Sequence, residues 1–382
     1  MTENTREKKK LTILSSYAFV DTNATKARLS AYLSVLQSEY DVTFICPHAD
    51  KQLDLPGITT VHVGRSPVHG GFVTRSMREI LYALRTIPHV RSSNPQLTIV
   101  TMPSMFVLLM LAAKKGPTIV DVRDLVWEYL PENSTLSKTI KSSARRVMLG
   151  LIKKSDAVFV TNESEQDYFL RDNLLANIPI RVVRNGINQA RFDKLSKLNL
   201  KHEQDEFKIL YIGNIGRAQN LRVLVDAMKS SPKASAVIVG QGNDLENVKR
   251  YATEAGVQNV KFVGGVPWDQ LAAYYQDANV LYAQISSEYQ SAVPSKLYEY
   301  LSVGLPIIFA GVGASATFMK DFENVAVIPP DDSSALAHAI EGMRGAQSDG
   351  ASADNQARIK SGFVRETQVE KALPMMHELV KP

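Results

Sequence analysis

The chain predicts an α/β protein made of two open parallel sheets, each covered by helices on both faces. Two observations carry that reading. Apolar runs of strand length alternate with stretches at helical spacing along nearly all of the 382 residues, as βαβ units do. The alternation then pauses at the turn signal Arg184-Asn185-Gly186-Ile187-Asn188 and a polar linker, Lys194–Glu206, before a second series begins. With 45% hydrophobic residues, each half has the material for its own core.

In the first half, Leu11–Ser15 reads as a strand, followed by the loop Asp21-Thr22-Asn23-Ala24 and a helix carrying Leu29, Tyr32, Leu33 and Leu36 at helical spacing. Strands are expected at Asp41–Cys46, Thr59–Val63, Leu97–Thr101, Thr118–Asp121, Ala157–Thr161 and Ile180–Val183. Helices are expected near Thr74–Leu84, from Ser104, and over Lys138–Lys154. The second half repeats the pattern with strands at Lys208–Ile212, Ala236–Val239, Val260–Phe262, Val280–Ala283, Ile307–Phe309 and Ala326–Ile328. Ligands of such sheets lie beyond the strand ends where the strand order reverses. In the first half that rule brings Asp21–Lys26, Pro103–Ser104 and Asp121–Asp124 together. Its first loop lacks Gly-x-Gly-x-x-Gly, which argues against a dinucleotide there.

Composition removes other classes. The single cysteine, Cys46, ends an apolar run and rules out an internal disulfide; it fits a reducing cytoplasm. The polar N-terminus reads as a frayed tail without a signal-peptide core. The longest apolar run, Met105–Ala113, is about half of a bilayer span. Residues 1–199 carry 27 Lys+Arg against 18 Asp+Glu, and the rest 17 against 21, so the basic first half suits a negative surface or substrate. Nucleic acid is not expected, because zinc-finger spacing, an RNP-like aromatic stretch and a dense basic helix are all missing.

Chemistry concentrates in two places. After the strand at Thr118–Asp121 comes Asp121-Val-Arg123-Asp124, charges that are costly to bury unless paired or used. A structural Asp–Arg pair and a functional site both fit. In the second half, Pro294-Ser295-Lys296-Leu-Tyr-Glu299 starts a short helix that Gly304 and Pro306 stop. The N–H groups around Ser295 and Lys296 make an anion site, and Glu299, one turn on, can accept from two vicinal hydroxyls. A surface Lys–Glu pair is the plainer reading. On the same half Gly213 and Gly216 allow close backbone approach, and Arg217 adds donors suited to a diphosphate. The Lys138–Lys154 helix sets Ile140, Ala144, Val147, Met148, Leu151 and Ile152 against Lys138, Lys141, Arg145, Arg146, Lys153 and Lys154. It is either an ordinary surface helix or a patch for anionic lipid headgroups.

Read together, Asn185-Gly-Ile-Asn with Phe192, Gly213-Asn-Ile-Gly216, Val239-Gly-Gln-Gly242, Asn259-Val-Lys-Phe-Val-Gly264 and Pro294-Ser-Lys-Leu-Tyr-Glu299-Tyr-Leu-Ser-Val-Gly-Leu-Pro306 resemble the retaining GT-B glycosyltransferases of glycosyltransferase family 4. Within that family, Gly-Asn-Ile-Gly with Gln219 and Pro-Ser-Lys-Leu-Tyr-Glu-Tyr is similar to the subgroup that builds bacterial surface polysaccharides: capsule, O-antigen or exopolysaccharide. The resemblance implies two Rossmann-like domains facing across a cleft. It places a polar tail at 1–10, an acceptor domain at 11–199, a nucleotide-sugar domain at 200–364, and a crossover helix at 365–382, about Thr367–Leu379, bracing the first domain.

It further implies a nucleoside-diphosphate sugar donor, UDP-linked by expectation, held by Gly213, Gly216, Arg217, Gly264, Val266, Pro294, Ser295, Lys296 and Glu299. Glu299 matches the second glutamate of the Glu-x7-Glu motif, which holds the ribose. Where the first glutamate is expected stands Ser291, with Glu288 three residues earlier as a substitute near the donor sugar. Arg217 and Lys296 would stabilise the leaving diphosphate without a metal or other cofactor. Asp124, with Arg123 beside it and Asp121 as the alternate, would orient the acceptor hydroxyl of a glycan or lipid-linked acceptor. Two other readings share the architecture: a non-hydrolysing nucleotide-sugar epimerase, for which His62, His69 and His89 form no suitable pattern, and a non-catalytic partner.

Overall fold

The computed structural model describes residues 8–20, 24–50, 54–67, 72–171, 174–175, 177–200, 206–290, 292–345 and 352–381. Asp21, His69 and Ser291, and most of the expected polar tail, lie outside the described residues. The chain divides into two compact units, Met1–Asn188 with Arg365–Pro382, and Gln189–Val364.

In the first unit, β1 (Lys9–Ser15), β2 (Tyr40–His48), β3 (Thr59–Arg65), β4 (Leu97–Thr101), β5 (Thr118–Asp121), β6 (Ala157–Val160) and β7 (Ile180–Val182) form one sheet in the order β3-β2-β1-β4-β5-β6-β7. Every pair is parallel, and the order reverses between β1 and β4. Side chains alternate through the sheet, so Leu11 and Ile13 enter one core layer and Leu14 the other. Helix α1 (Ala24–Glu39) covers the first layer with Leu29, Tyr32, Leu33 and Leu36. Helices α2 (Phe72–Ser92), α3 (Thr135–Ile152) and α4 (Glu163–Leu170) cover the second.

Three local features differ from the sequence expectations. The helix expected from Ser104 is a 3-10 helix, Met105–Ala113. Its buried residues recur every third position, Met105, Leu108 and Leu111 beside Val107 and Met110, which is the period of the tighter turn. Helix α2 runs on through Pro88 to Ser92. The missing N–H there would have served the Leu84 carbonyl, and Leu84 is 54% exposed, so water can take the bond. In α3 the apolar residues are not one face: Met148, Leu149, Leu151 and Ile152 are buried, while Leu136, Ile140 and Val147 are exposed.

The second unit carries β8 (Phe207–Ile212), β9 (Ala234–Val239), β10 (Val260–Gly264), β11 (Val280–Gln284), β12 (Ile307–Ala310) and β13 (Val325–Ile328), in the order β10-β9-β8-β11-β12-β13. These pairs are also parallel, with the reversal between β8 and β11. Helices α5 (Gln189–Leu195), α6 (Arg222–Lys229), α7 (Leu245–Glu254), α8 (Ala272–Gln276), α9 (Ser295–Val303), α10 (Gly313–Lys320), α11 (Ser333–Gly345) and α12 (Ala353–Gly362) complete it. The boundary therefore falls at Asn188, not near residue 199, because α5 packs on α9 and carries Phe192 and Leu195 into this unit.

The last helix, α13 (Arg365–Leu379), belongs to the first unit. Val369, Ala372 and Met376 join Leu29, Tyr32 and Leu36 in one apolar layer; a valine or methionine buried this way contributes roughly 1.5–3 kcal/mol. The Asn185–Asn188 turn anchors its start. Arg365 donates to the Asn188 side-chain oxygen at 2.8 Å and to that of Asn185 at 3.2 Å, and its backbone N–H reaches the Ile187 carbonyl at 2.9 Å.

Candidate functional sites in each unit

In the second unit, β8 and β11 pair only through Ile209–Val280 and Leu210–Leu281 before they part. The Tyr300 hydroxyl, from α9, fills the gap. It accepts from the Ile212 N–H at 2.8 Å and has the Ile212 and Tyr282 carbonyls each at 3.2 Å for its one proton. The body of α9 is thereby tied to the point where the sheet order reverses.

Helix α9 begins after an extended Pro294 with no side-chain cap and ends at Gly304 in the left-handed region, φ 85°. Ser295 is exposed at its first turn, so the free N–H groups of that turn point outward from an uncapped, positive helix end. Lys296 folds back instead. Its Nζ donates to the Tyr211 hydroxyl at 2.7 Å and lies 4.2 Å from that ring's centroid. The Tyr211 hydroxyl in turn donates to the Asn214 carbonyl. A Cβ on Gly213 would come within 2.7 Å of Nζ, so the glycine at φ +147° leaves the space that the ammonium occupies. Burial pushes the Lys296 ammonium down to about 7, with the Glu299 carboxylate opposing the shift.

The neighbouring loops are pressed together. A Cβ on Gly240 would lie 1.8 Å from the Gly213 carbonyl oxygen, and one on Gly242 would lie 2.0 Å from that of Ile215. Gly216 opens the single 3-10 turn Arg217–Gln219, and its N–H donates to the Gln219 side chain at 3.2 Å. Arg217 is exposed and makes no ion pair among the described residues. Gly264 takes φ +88° with open space where a Cβ would point, followed by half-buried Val266. Glu299 is largely buried, its side chain 17% exposed, and its Oε1 accepts from Arg191 Nη1 at 2.7 Å. The Arg191 guanidinium lies 4.8 Å from the centroid of Trp268. Glu288 is exposed in the single turn Ser287–Tyr289 and joins none of these groups.

In the first unit the charges after β5 separate into two roles. Asp121 is buried in a pair with Arg28, whose Nη2 and Nε lie 2.5 and 3.1 Å from its two oxygens; Thr101 and Tyr32 add bonds at 3.0 and 3.1 Å. Although burial alone would raise its pKa, the Arg28 guanidinium holds the Asp121 carboxyl below the ordinary value. Asp121 is thus committed to the interior, which removes it as the alternate for an acceptor hydroxyl. The structural pair weighed on sequence exists, with Arg28 as its cation.

Asp124 sits two residues beyond the strand partner Val122. Burial pushes its pKa up, against the pull of Arg123, and Arg123 is itself lowered by burial and by Arg28. The segment is pinned by Trp127, which is fully buried and donates to the Tyr168 hydroxyl at 2.9 Å. Tyr17, two residues beyond β1, feels the charges of Arg75, Arg123, Glu79 and Asp124. Glu165 on α4 is pushed up to about 8, chiefly by burial, with Asp124 adding to the rise. It accepts from the Thr161 N–H and hydroxyl at 2.7 and 2.9 Å.

The structure therefore gathers Gly213, Lys296 and Glu299 around the second reversal point and Arg123 with Asp124 near the first. Sequence reasoning missed Arg28, Glu165, Tyr211 and Arg191. Arg28 had a signal, a charge one turn before the inward-facing Tyr32. Arg191 had another, its place beside buried Phe192.

Two family models match in tandem, "Glycosyltransferase Family 4" over residues 29–191 and "Glycosyl transferases group 1" over residues 193–357. The alpha-monoglucosyldiacylglycerol synthase of Streptococcus pneumoniae is 25% identical over 184 residues, 44% of this chain and 41% of that protein. The chain spans less than half the length of the curated relatives it matches. Among solved structures, sucrose-phosphate synthase from Thermosynechococcus elongatus superposes with a TM-score of 0.79 at 19% identity, covering 97% of this chain and 99% of that one. Anabaena HepE, solved with UDP and glucose, gives a TM-score of 0.70 at 16% identity, with 97% and 99% covered. These structural likenesses establish the two-sheet fold.

Proposed function

We propose, for a chain that belongs to glycosyltransferase family 4 and has the GT-B fold, a retaining transfer of a sugar from a nucleoside-diphosphate donor to a glycan or lipid-linked acceptor of a bacterial surface polysaccharide. One observation carries the reading: the uncapped start of α9, with Lys296 Nζ lodged over Gly213 and Glu299 one turn on. That arrangement offers N–H groups and a cation to a diphosphate and a carboxylate to a ribose diol. The UDP and glucose held by HepE support a UDP-linked sugar, and the Pro-Ser-Lys-Leu-Tyr-Glu-Tyr stretch supports the polysaccharide subgroup.

Cleaving the anomeric C–O bond leaves negative charge on the diphosphate. Exposed Arg217, the α9 N–H groups and Lys296 stabilise it, and fixed donors of this kind supply the largest share of such catalysis. In our reading these cations take the place of a metal. The leaving phosphate accepts the proton of the incoming hydroxyl on the same face, which retains configuration. On the first unit, Asp124, whose carboxyl burial holds above its ordinary pKa, orients the acceptor with Arg123 beside it, while the proton itself goes to the phosphate.

The acceptor's membrane end has a matching surface. Leu136, Ile140 and Val147 on α3 are exposed beside exposed Lys138, Arg146, Lys153 and Lys154. Met77, Leu81 and Leu84 on α2 are also exposed, and both helices pack on the 3-10 segment Met105–Ala113. Lys141 and Arg145 are turned toward Glu128, which leaves the other four cations for an anionic bilayer. No described helix is long and apolar enough to cross a membrane; from the exposed cations and apolar residues we read the chain as resting on the cytoplasmic face of one. The test is calorimetric titration with UDP, GDP and CMP, with and without EDTA. Binding of one diphosphate that survives EDTA supports the donor site and names its base; no binding by any nucleotide favours the non-catalytic reading.

A further inference from the structure

We propose that Arg191 is a positioning residue for the ribose carboxylate, held in place by Trp268. The inference rests on the donor reading of Glu299. A carboxylate offers about four acceptor sites on two oxygens, and Arg191 Nη1 takes one of them on Oε1 at 2.7 Å. Oε2 and the remaining site on Oε1 are left for two vicinal hydroxyls. A single charge-assisted bond thus fixes the carboxylate without filling it.

Arg191 is itself constrained. Its guanidinium lies 4.8 Å from the Trp268 centroid, and Lys194 Nζ, one turn along α5, lies 5.5 Å from the same ring. The ring's π-electrons attract both cations. Trp268 follows directly on the Gly264–Pro267 turn, and its Nε1 is buried with no hydrogen-bond partner among the described residues. The stack therefore joins three pieces of the second unit, α5, the β10 turn and α9, at the one carboxylate that a diol would meet. Arg191 is 37% exposed, so its role does not depend on filling a core. Its own chemistry, a planar fork over an aromatic face, is the kind that lysine reproduces poorly.

The experiment compares UDP and GDP, each beside its 2′,3′-dideoxy counterpart, on the wild type and on Arg191→Met, Arg191→Lys and Trp268→Leu, with melting curves to confirm folding. We expect the wild type to prefer the diol-bearing nucleotide. Arg191→Met should lose on the order of tenfold in affinity for it, the worth of one charge-assisted hydrogen bond, and stay within about twofold for the dideoxy form. Arg191→Lys should recover part of the loss, and Trp268→Leu should show the same selective loss. Equal losses on both nucleotides, or tighter binding after Arg191 is removed, would overturn the positioning role alone. A wild type that does not distinguish the two nucleotides, or binds none of them, overturns the ribose reading of Glu299 and this inference with it.

Discussion

Raising the pH from 7.0 to 8.5 should weaken diphosphate binding by roughly 15-fold, and Lys296 should be the reason. In the free protein its ammonium titrates near 7 because loss of water on burial disfavours the charge more than the Glu299 carboxylate favours it. A bound diphosphate restores the charged form and returns the pKa toward its ordinary value of about 10.4. Between those values the complex holds one more proton than the free protein, so affinity must fall as pH rises. About half of the free protein carries the charge at pH 7.0 and about 3% at pH 8.5, a ratio near 16, or about 1.6 kcal/mol. The terminal phosphate's own titration, near pH 6, lies below this window. Calorimetry of UDP binding in two buffers of different ionisation enthalpy would register the proton taken up. Lys296→Met should bind more weakly at pH 7.0 and show a flat profile above it. A flat wild-type profile, or a slope that survives in Lys296→Met, would refute the reasoning.

Asp124→Asn should lower turnover by about 10²–10⁴ while nucleotide affinity stays within about threefold; parallel losses in both would count against an acceptor-side role. Arg28→Met should cost about 3–5 kcal/mol in denaturant unfolding, because it leaves the Asp121 carboxylate buried without its cation. A loss below about 1 kcal/mol would mean that Thr101 and Tyr32 suffice. Vesicles rich in anionic lipid should retain the protein at low salt and release it as salt rises, and Ile140→Asp with Val147→Asp should abolish retention. Indifference to lipid charge would return α3 to an ordinary surface helix.

The strands were legible because their side chains obey one rule at a time. Leu97–Thr101 and Thr118–Asp121 are short apolar runs buried on both faces, and their observed bounds match those expected. The Gly304 stop was legible for the same reason, since a left-handed residue there favours glycine. Helix α3 was harder. Spacing predicts an apolar face, but burial depends on what lies opposite, and only its last turns meet the 3-10 segment. The boundary at Asn188 was hidden in a similar way, because α5 reads as the tail of the preceding turn and joins the second unit through distant partners, α9 and Trp268. At the sites, residue types were visible but partners were not. Asp121 and Asp124 look alike in sequence. What separates them is Arg28, 93 positions away from Asp121, and periodicity carries no information about a pair so distant.

The return of α13 to the first unit also sets an order of synthesis. Residues 1–188 leave the ribosome long before Val369, Ala372 and Met376 exist to cover Leu29, Tyr32 and Leu36. The second unit, 189–364, is continuous and can close its own core meanwhile. At about 5–20 residues per second the delay is roughly 10–40 s. The unit that is made first is the one completed last, and during that interval its apolar α1 face is what a nascent-chain chaperone would meet.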